Sequence, residues 1–243
     1  MAQPNVARAQ SQGEDARAAE HEALMGVLAH ELRTPITTIY AGSAVLARDE
    51  DLLPAMRREL ASDVYHEAAR LFRAVEDLLV LTRLEHDAVR VTREPIAVIR
   101  AVDAAMQIEG PRWPSMRMVA RLDGSPPPAA ADPIALAHAL RNLIANIGWR
   151  AGGAADLEIV VGAHDTRVDC RLLDRTGTLT ADDQKMLFAL PDHEPLPGSI
   201  SPGIAMYVAG RLIQAMRGET WVVQPSGGVV EIGFSLPCYE PVA

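Results

Sequence analysis

AAEHEALMGVLAHELRTPITTIYAGSAVLAR, residues 18–48, sets Leu24, Leu28, Leu32, Ile36, Ile39 and Leu46 at three- and four-residue spacing. That period predicts an amphipathic helix from Ala18 to Arg48, with a local kink at Pro35, whose ring removes a donor. Asp49 to Pro54 reads as a turn. A second run of helical period follows through Leu60, Val64, Ala68, Leu71, Val75, Leu78, Leu79, Leu81 and Leu84. Two long helices joined by a short loop make an antiparallel hairpin. Its apolar stripe is too wide for one copy to cover, so a homodimer closing into a four-helix bundle is expected.

Outward from the hairpin the texture changes. Residues 1–17 are polar, lack apolar periodicity and read as a disordered tail or upstream linker. After Val89, β-rich pieces (VRVTREPI, RMVARL, LEIVVGA, VDCRLLD, VVEIGFSLP) alternate with helical pieces at 96–108, 132–150 and 203–217. An α/β sandwich is the expectation. In SPPPAAADP, residues 125–133, Asp132 is a candidate N-cap with Pro133 in the first helical position. The fold class is therefore α followed by α/β: residues 18–90 form the hairpin domain and residues 91–240 the sandwich.

Composition narrows the function. The 243 residues carry a net charge of −9 with their basic residues scattered, which argues against nucleic acid as partner. Cys170 and Cys238 are the only cysteines and have no metal-ligand spacing. No apolar stretch approaches the roughly 20 residues of a membrane span, and the polar N-terminus has no hydrophobic signal region. A cytoplasmic protein, or the cytoplasmic part of a longer receptor, is expected.

His30-Glu31-Leu32-Arg33-Thr34-Pro35 closely resembles the phosphoacceptor box of sensor histidine kinases, and RLFRAVEDLLVLTRLE at 70–85 continues the likeness on the second helix. The resemblance implies that His30 accepts a phosphoryl group. A neutral imidazole nitrogen suits that role as a nucleophile. Glu31 is then the general base that keeps the attacking lone pair available. Thr34, one turn on, could place a water for hydrolysis of a phosphorylated partner aspartate. His21, His66, His86, His138, His164 and His193 lack such context and read as surface or helix-face residues.

Residues 91–240 resemble the catalytic ATP-binding domain of these kinases, a Bergerat-type sandwich. DPIALAHALRNLIANI at 132–147 looks like the asparagine box, with Asn142 and Asn146 four apart on one helical face. The likeness makes Asn146 the Mg²⁺ ligand. Trp149 stands where the family places a basic residue, with Arg150 adjacent. LLDRTGTLT at 172–180 occupies the place of the first glycine box. There Asp174 would accept from the adenine amino group, while Thr176 and Thr178 replace glycines. GIAMYVAGRLIQAMRG at 203–218 matches the second glycine box through Gly203, with Ala205 in place of the next glycine. Residues 180–202 would form a proline-rich lid, and ETWVVQPSGGVVEIGFSLP at 219–237 a closing hairpin around Gly227-Gly228. Trp113, Trp149 and Trp221 are expected to pack the sandwich.

The implied function is ATP- and Mg²⁺-dependent autophosphorylation of His30 within a homodimer. Transfer would follow to an aspartate of a response-regulator receiver domain docked near Thr38 and Tyr40. The alternative is a phosphotransfer or phosphatase scaffold with a vestigial ATP domain. A Bergerat ATPase of the chaperone or topoisomerase kind is disfavoured, because those folds lack the histidine hairpin.

Overall fold

The computed structural model describes residues 4–48, 52–85, 91–190, 203–224 and 228–240; of residues 4–21, 85 and 203 only the backbone is described. The chain divides after Val80 into two compact units. The first half of the expected 49–54 turn, residues 191–202 of the expected lid and Gly227 lie outside the described residues.

The first unit holds two helices, α1 (Pro4–Arg48) and all but the last five residues of α2 (Pro54–Glu85). Helix α1 begins at Pro4, well ahead of Ala18, within the stretch expected to be a tail. Ala, Gln, Glu and Arg predominate there, and such residues extend an existing helix on intrinsic propensity without an apolar stripe. The helix also runs through Pro35. Around the donor that proline lacks, three hydroxyls donate back one turn: Thr34 Oγ1 to the His30 carbonyl at 3.4 Å, Thr37 Oγ1 to Arg33 at 2.8 Å and Thr38 Oγ1 to Thr34 at 3.3 Å.

The hairpin is antiparallel. Glu31 of α1 pairs with Arg70 of α2, whereas Gly42, further along α1, lies against Leu60 and Val64, earlier on α2. At Gly42 the helices approach so closely that a Cβ would stand 2.6 Å from Val64 Cγ2. On α2, Tyr65, Phe72 and Leu79 recur every seven residues and are 71%, 63% and 52% exposed. A heptad-spaced aromatic and aliphatic stripe in water has the spacing of a coiled-coil seam.

The second unit is a mixed five-stranded sheet of order β2-β4-β5-β7-β6, with a separate antiparallel pair β1-β3. The strands are β1 (Glu94–Ile96), β2 (Arg117–Leu122), β3 (Ala129–Ala131), β4 (Asp156–His164), β5 (Arg167–Asp174), β6 (Glu219–Val223) and β7 (Val230–Pro237). Only β2 and β4 run parallel. The helices are α3 (Val98–Glu109), α4 (Pro133–Arg150), the short α5 (Ala181–Met186) and α6 (Gly203–Ala215). Helix α4 packs against both α3 and α6.

Alternation along the strands explains the layering. In β5, Val168, Cys170, Leu172 and Asp174 are buried while their neighbours are part-exposed, the period of a sheet with one face in the core. Leu140, Leu143 and Ile147 of α4, Met206 and Ile213 of α6, and Phe234 of β7 are fully buried with them. The other face carries ion pairs across strands, among them Arg117 with Asp156 at 3.0 Å and Arg121 with Glu158 at 2.6 Å. Cross-strand packing replaces a side chain at Gly233, which pairs with Trp221 and lies under its indole.

The expected helices and strands are all present, and sequence reading missed β3 and α5. Asp132 caps α4 as expected: its Oδ1 accepts from Ile134 N and Ala135 N, both at 2.9 Å, and its Oδ2 from Thr92 N at 3.1 Å. Burial would raise this carboxyl, but the hydrogen bonds from Ala135, Thr92 and Ile134 prevail and hold it below its ordinary range. Among the described residues no helix is long and apolar enough to cross a membrane.

Candidate phosphoacceptor and nucleotide sites

In the hairpin, the histidine box lies on α1 with its residue types distributed by helical geometry. His30 is half-buried, Thr34 exposed and Pro35 buried. Glu31 points toward α2, where its Oε2 accepts from Arg70 Nη2 at 3.4 Å, and its side chain is only 11% exposed. The candidate base is therefore held by a cation from the facing helix. Sequence reading did not single out Arg70, whose significance depends on the register between helices. Thr34 keeps its hydroxyl on the His30 backbone carbonyl at 3.4 Å, close to the limit for such a bond and easily exchanged for water.

In the sandwich, α4 presents Asn142, Asn146 and Arg150 at four-residue intervals, hence along one face. Asn142 is 5% exposed, and its Nδ2 donates to the Ala205 carbonyl at 3.1 Å, tying α4 to the start of α6. Asn146 is 6% exposed, and its Oδ1 has no hydrogen-bond partner among the described residues. The two asparagines thus differ in role. One amide fastens helices, whereas the other leaves a buried oxygen without a hydrogen-bond partner among the described residues.

Asp174 ends β5 at a position where the strand's alternation calls for a core residue, and it is fully buried. Its Oδ1 accepts three bonds, from Thr176 N at 3.0 Å, Thr176 Oγ1 at 2.7 Å and Gly177 N at 3.0 Å. Its Oδ2 has no partner among the described residues. A buried carboxylate oxygen without a donor costs on the order of 1–3 kcal/mol or more, and natural proteins retain such atoms where a ligand completes them.

The threonines at the glycine-box positions do not oppose this turn. The Thr176 hydroxyl joins it as a donor, and Thr178 offers its carbonyl to Arg150 Nη2 at 3.0 Å. The glycine that the turn needs is Gly177, which sequence reading passed over. A Cβ there would fall 2.1 Å from Asp174 Oδ2. Its requirement is for space, since it is not among the positive-φ residues. The only signal was its place between two β-branched residues.

Arg150 was also missed in favour of its neighbour. Trp149 packs edge-on against Trp113, ring centroids 5.3 Å apart, and Trp113 covers Gly148. Position 149 therefore serves packing, while position 150, a full helical turn beyond Asn146, faces the Asp174 turn. Arg150 Nη1 is buried without a hydrogen-bond partner among the described residues. Burial weakens its hold on the proton, and the charges of Asp174 and Asp183 oppose that effect. The loop beyond is closed by Leu179 N donating to Gln224 Oε1 at 2.9 Å, and by Thr180, which caps α5 in a reciprocal pair with Asp183. Gly203 is the first residue of α6, and Ala205, although not a glycine, supplies its backbone carbonyl to Asn142.

The model of the His Kinase A (phospho-acceptor) domain matches residues 20–87. The probable sensor histidine kinase TcrY of Mycobacterium tuberculosis is 29% identical over 218 residues, 86% of this chain and 44% of that protein. The adaptive-response sensory kinase SasA of Synechococcus elongatus is 22% identical, over 90% of this chain and 59% of that protein. The chain thus spans about half the length of these relatives. Among solved structures, the Acinetobacter baumannii histidine kinase AdeS superposes with a TM-score of 0.66 at 20% identity, covering 87% of this chain and 98% of that one. The histidine kinase ThkA, solved in complex with the response regulator TrrA, gives 0.67 at 16% identity over 96% of this chain and 66% of that one. Residues 20–87 thus match a phospho-acceptor domain, the fold is that of solved histidine kinases, and the chain as a whole is similar in sequence to sensor histidine kinases.

Proposed function

We propose that this chain is the core of a dimeric sensor histidine kinase, which binds Mg²⁺-ATP in residues 91–240, phosphorylates His30 in residues 18–90 and passes the phosphoryl group to an aspartate of a response regulator. The observation that carries the proposal is the pair of buried oxygens without a hydrogen-bond partner among the described residues, Asn146 Oδ1 and Asp174 Oδ2. One suits a divalent cation and the other an exocyclic amino group. Among the described residues no three His, Cys, Asp or Glu side chains gather as a metal site. A hard cation at Asn146 would therefore draw its other ligands from phosphate oxygens and water.

When bound, Mg²⁺-ATP supplies an activated γ-phosphoryl group with its charge partly neutralised. His30 contributes an imidazole nitrogen that forms the P–N bond as the P–O bond to ADP breaks. Glu31 takes the proton from the other ring nitrogen. For that, the Glu31–Arg70 pair must tolerate a change of charge at Glu31, and the 3.4 Å separation is long enough to permit it. Thr34 is the proposed aid to dephosphorylation of the partner. The heptad stripe of α2 supports the homodimer, and Tyr40, 76% exposed on α1, lies in the region proposed to receive the regulator. ThkA, of like fold, was solved with such a regulator. The proposed dependence on ATP supports a cytoplasmic location for the reaction.

Incubation of the full chain with γ-labelled ATP and Mg²⁺ tests the proposal. Acid-labile, alkali-stable label on the wild type and none on His30→Gln is the expected result. No label together with no detectable nucleotide binding would establish the rival reading, a phosphotransfer scaffold with a vestigial ATP domain.

A further inference from the structure

We infer that Arg150 is a base-reading residue of the nucleotide site, donating through Nη1 to a ring nitrogen of adenine while Asp174 accepts from the exocyclic amino group. The inference rests on the adenine-nucleotide reading above and assigns to that site a contact that its resemblance to other kinases does not supply. It starts from two atoms of opposite character. Asp174 Oδ2 is a buried acceptor and Arg150 Nη1 a buried donor, and neither has a hydrogen-bond partner among the described residues, although the charges of Asp174 and Asp183 act on Arg150. Both belong to one small assembly, because Arg150 Nη2 is fixed on the carbonyl of Thr178, in the turn that Asp174 Oδ1 organises.

The ordinary explanation for an arginine in the last turn of a helix is favourable interaction with the helix's own terminal carbonyls. Those carbonyls are served by backbone instead. Ala151 N donates to Ile147 O at 3.0 Å and Gly153 N to Gly148 O at 2.8 Å, with Gly152 and Gly153 at positive φ closing the turn. Arg150 reaches away from its helix to Thr178. It is held there by one nitrogen, which leaves a guanidinium edge oriented and partly desolvated.

A donor and an acceptor held by the same turn, through Thr178 on one side and Thr176 and Gly177 on the other, suit an edge that presents both an acceptor and a donor. Adenine offers that combination twice, as the 6-amino group beside N1 and beside N7. Guanine offers a 6-oxo group at the same place, which would meet the Asp174 carboxylate with its lone pairs. Arg150 alone would tolerate guanine, so discrimination comes from the pair. A bond from a charged donor to a ring nitrogen strengthens binding by roughly tenfold or more.

The test measures the affinities of ATP, 1-deaza-ATP and 7-deaza-ATP for the full chain and for Arg150→Gln and Arg150→Lys, by competition with a fluorescent ATP analogue. For wild type, one deaza analogue should bind about tenfold more weakly than ATP, and in Arg150→Gln that difference should vanish. Arg150→Lys should keep part of it. A role confined to holding the loop would weaken all three nucleotides equally and leave the deaza penalty in place, which would overturn the inference. So would wild-type protein that binds both deaza analogues as tightly as ATP. Wild-type protein that binds no ATP at all would remove the adenine-nucleotide reading and this inference together.

Discussion

Replacing Gly177 with alanine should disable the nucleotide site through a single methyl group. The added Cβ would stand 2.1 Å from Asp174 Oδ2 and 2.9 Å from its Cγ, against an ordinary contact of about 3.5 Å. Relief requires the carboxylate or the turn to move by about 1 Å. The three bonds to Oδ1 are now 2.7 to 3.0 Å long, and a shift of that size takes them beyond useful hydrogen-bonding range. Each bond to a charged acceptor contributes about 1.5–3 kcal/mol. They act on one group and do not sum, so a loss of about 2–4 kcal/mol in unfolding free energy is expected. Displacement of Oδ2 should weaken ATP by about a hundredfold, since a misplaced acceptor leaves the ligand's amino group unpaired. Urea unfolding and nucleotide titration of the same preparation read both quantities. An alanine variant with wild-type urea midpoint and wild-type ATP affinity would refute the claim that Gly177 is required for space. Thr176→Gly makes the complementary case: it restores the family's residue but removes the 2.7 Å hydroxyl bond, and it should weaken ATP rather than strengthen it.

Asn146→Leu removes a buried oxygen without a partner, so thermal melting should rise, by about 1 kcal/mol of stability, while ATP binding is lost; a variant that melts lower and still binds would contradict the assignment. Gly42→Leu forces a side chain into the 2.6 Å approach to Val64 and should destabilise the hairpin by about 1–3 kcal/mol, with nucleotide binding by the sandwich unchanged; an unaltered helical melt by circular dichroism would exclude close helix contact there. Asp132→Ala should cost about 1–2 kcal/mol at neutral pH. Because hydrogen bonding lowers that carboxyl from its ordinary 3.8, its contribution is complete above about that pH and disappears as pH falls through the lowered folded value. Wild type and variant should therefore converge in acid, and curves that stay parallel down to the lowest pH would show that Asp132 does not titrate as described.

Much of the architecture was legible in one dimension because it depends on local periods. The 3.6-residue spacing of Leu24 to Leu46 and of Leu60 to Leu84 marked both hairpin helices, and the alternation of VDCRLLD marked β5. Asp132-Pro133 marked the start of α4 by capping chemistry that spans only a few residues. The exception was Pro4 to Arg17, where helix propensity without an apolar stripe left no periodic signal. Asn146 and Asp174 were visible as chemistry, one through its four-residue spacing from Asn142 and the other through the motif it begins.

Tertiary structure alone decided how those residues act. His30, Glu31 and Thr34 follow from the box itself, but the pairing of Glu31 with Arg70 depends on the register between two helices. No local rule encodes that register. Asn142 and Asn146 are identical in type and share a helix face, yet one donates to the Ala205 carbonyl and the other has an oxygen without a hydrogen-bond partner among the described residues. Gly177 and Arg150 emerged in the same way. Whether a methyl fits, or a guanidinium is held by one nitrogen and unmatched at the other, depends on atoms brought together from β5, α4 and the turn between β5 and α5, and a linear sequence does not contain those distances.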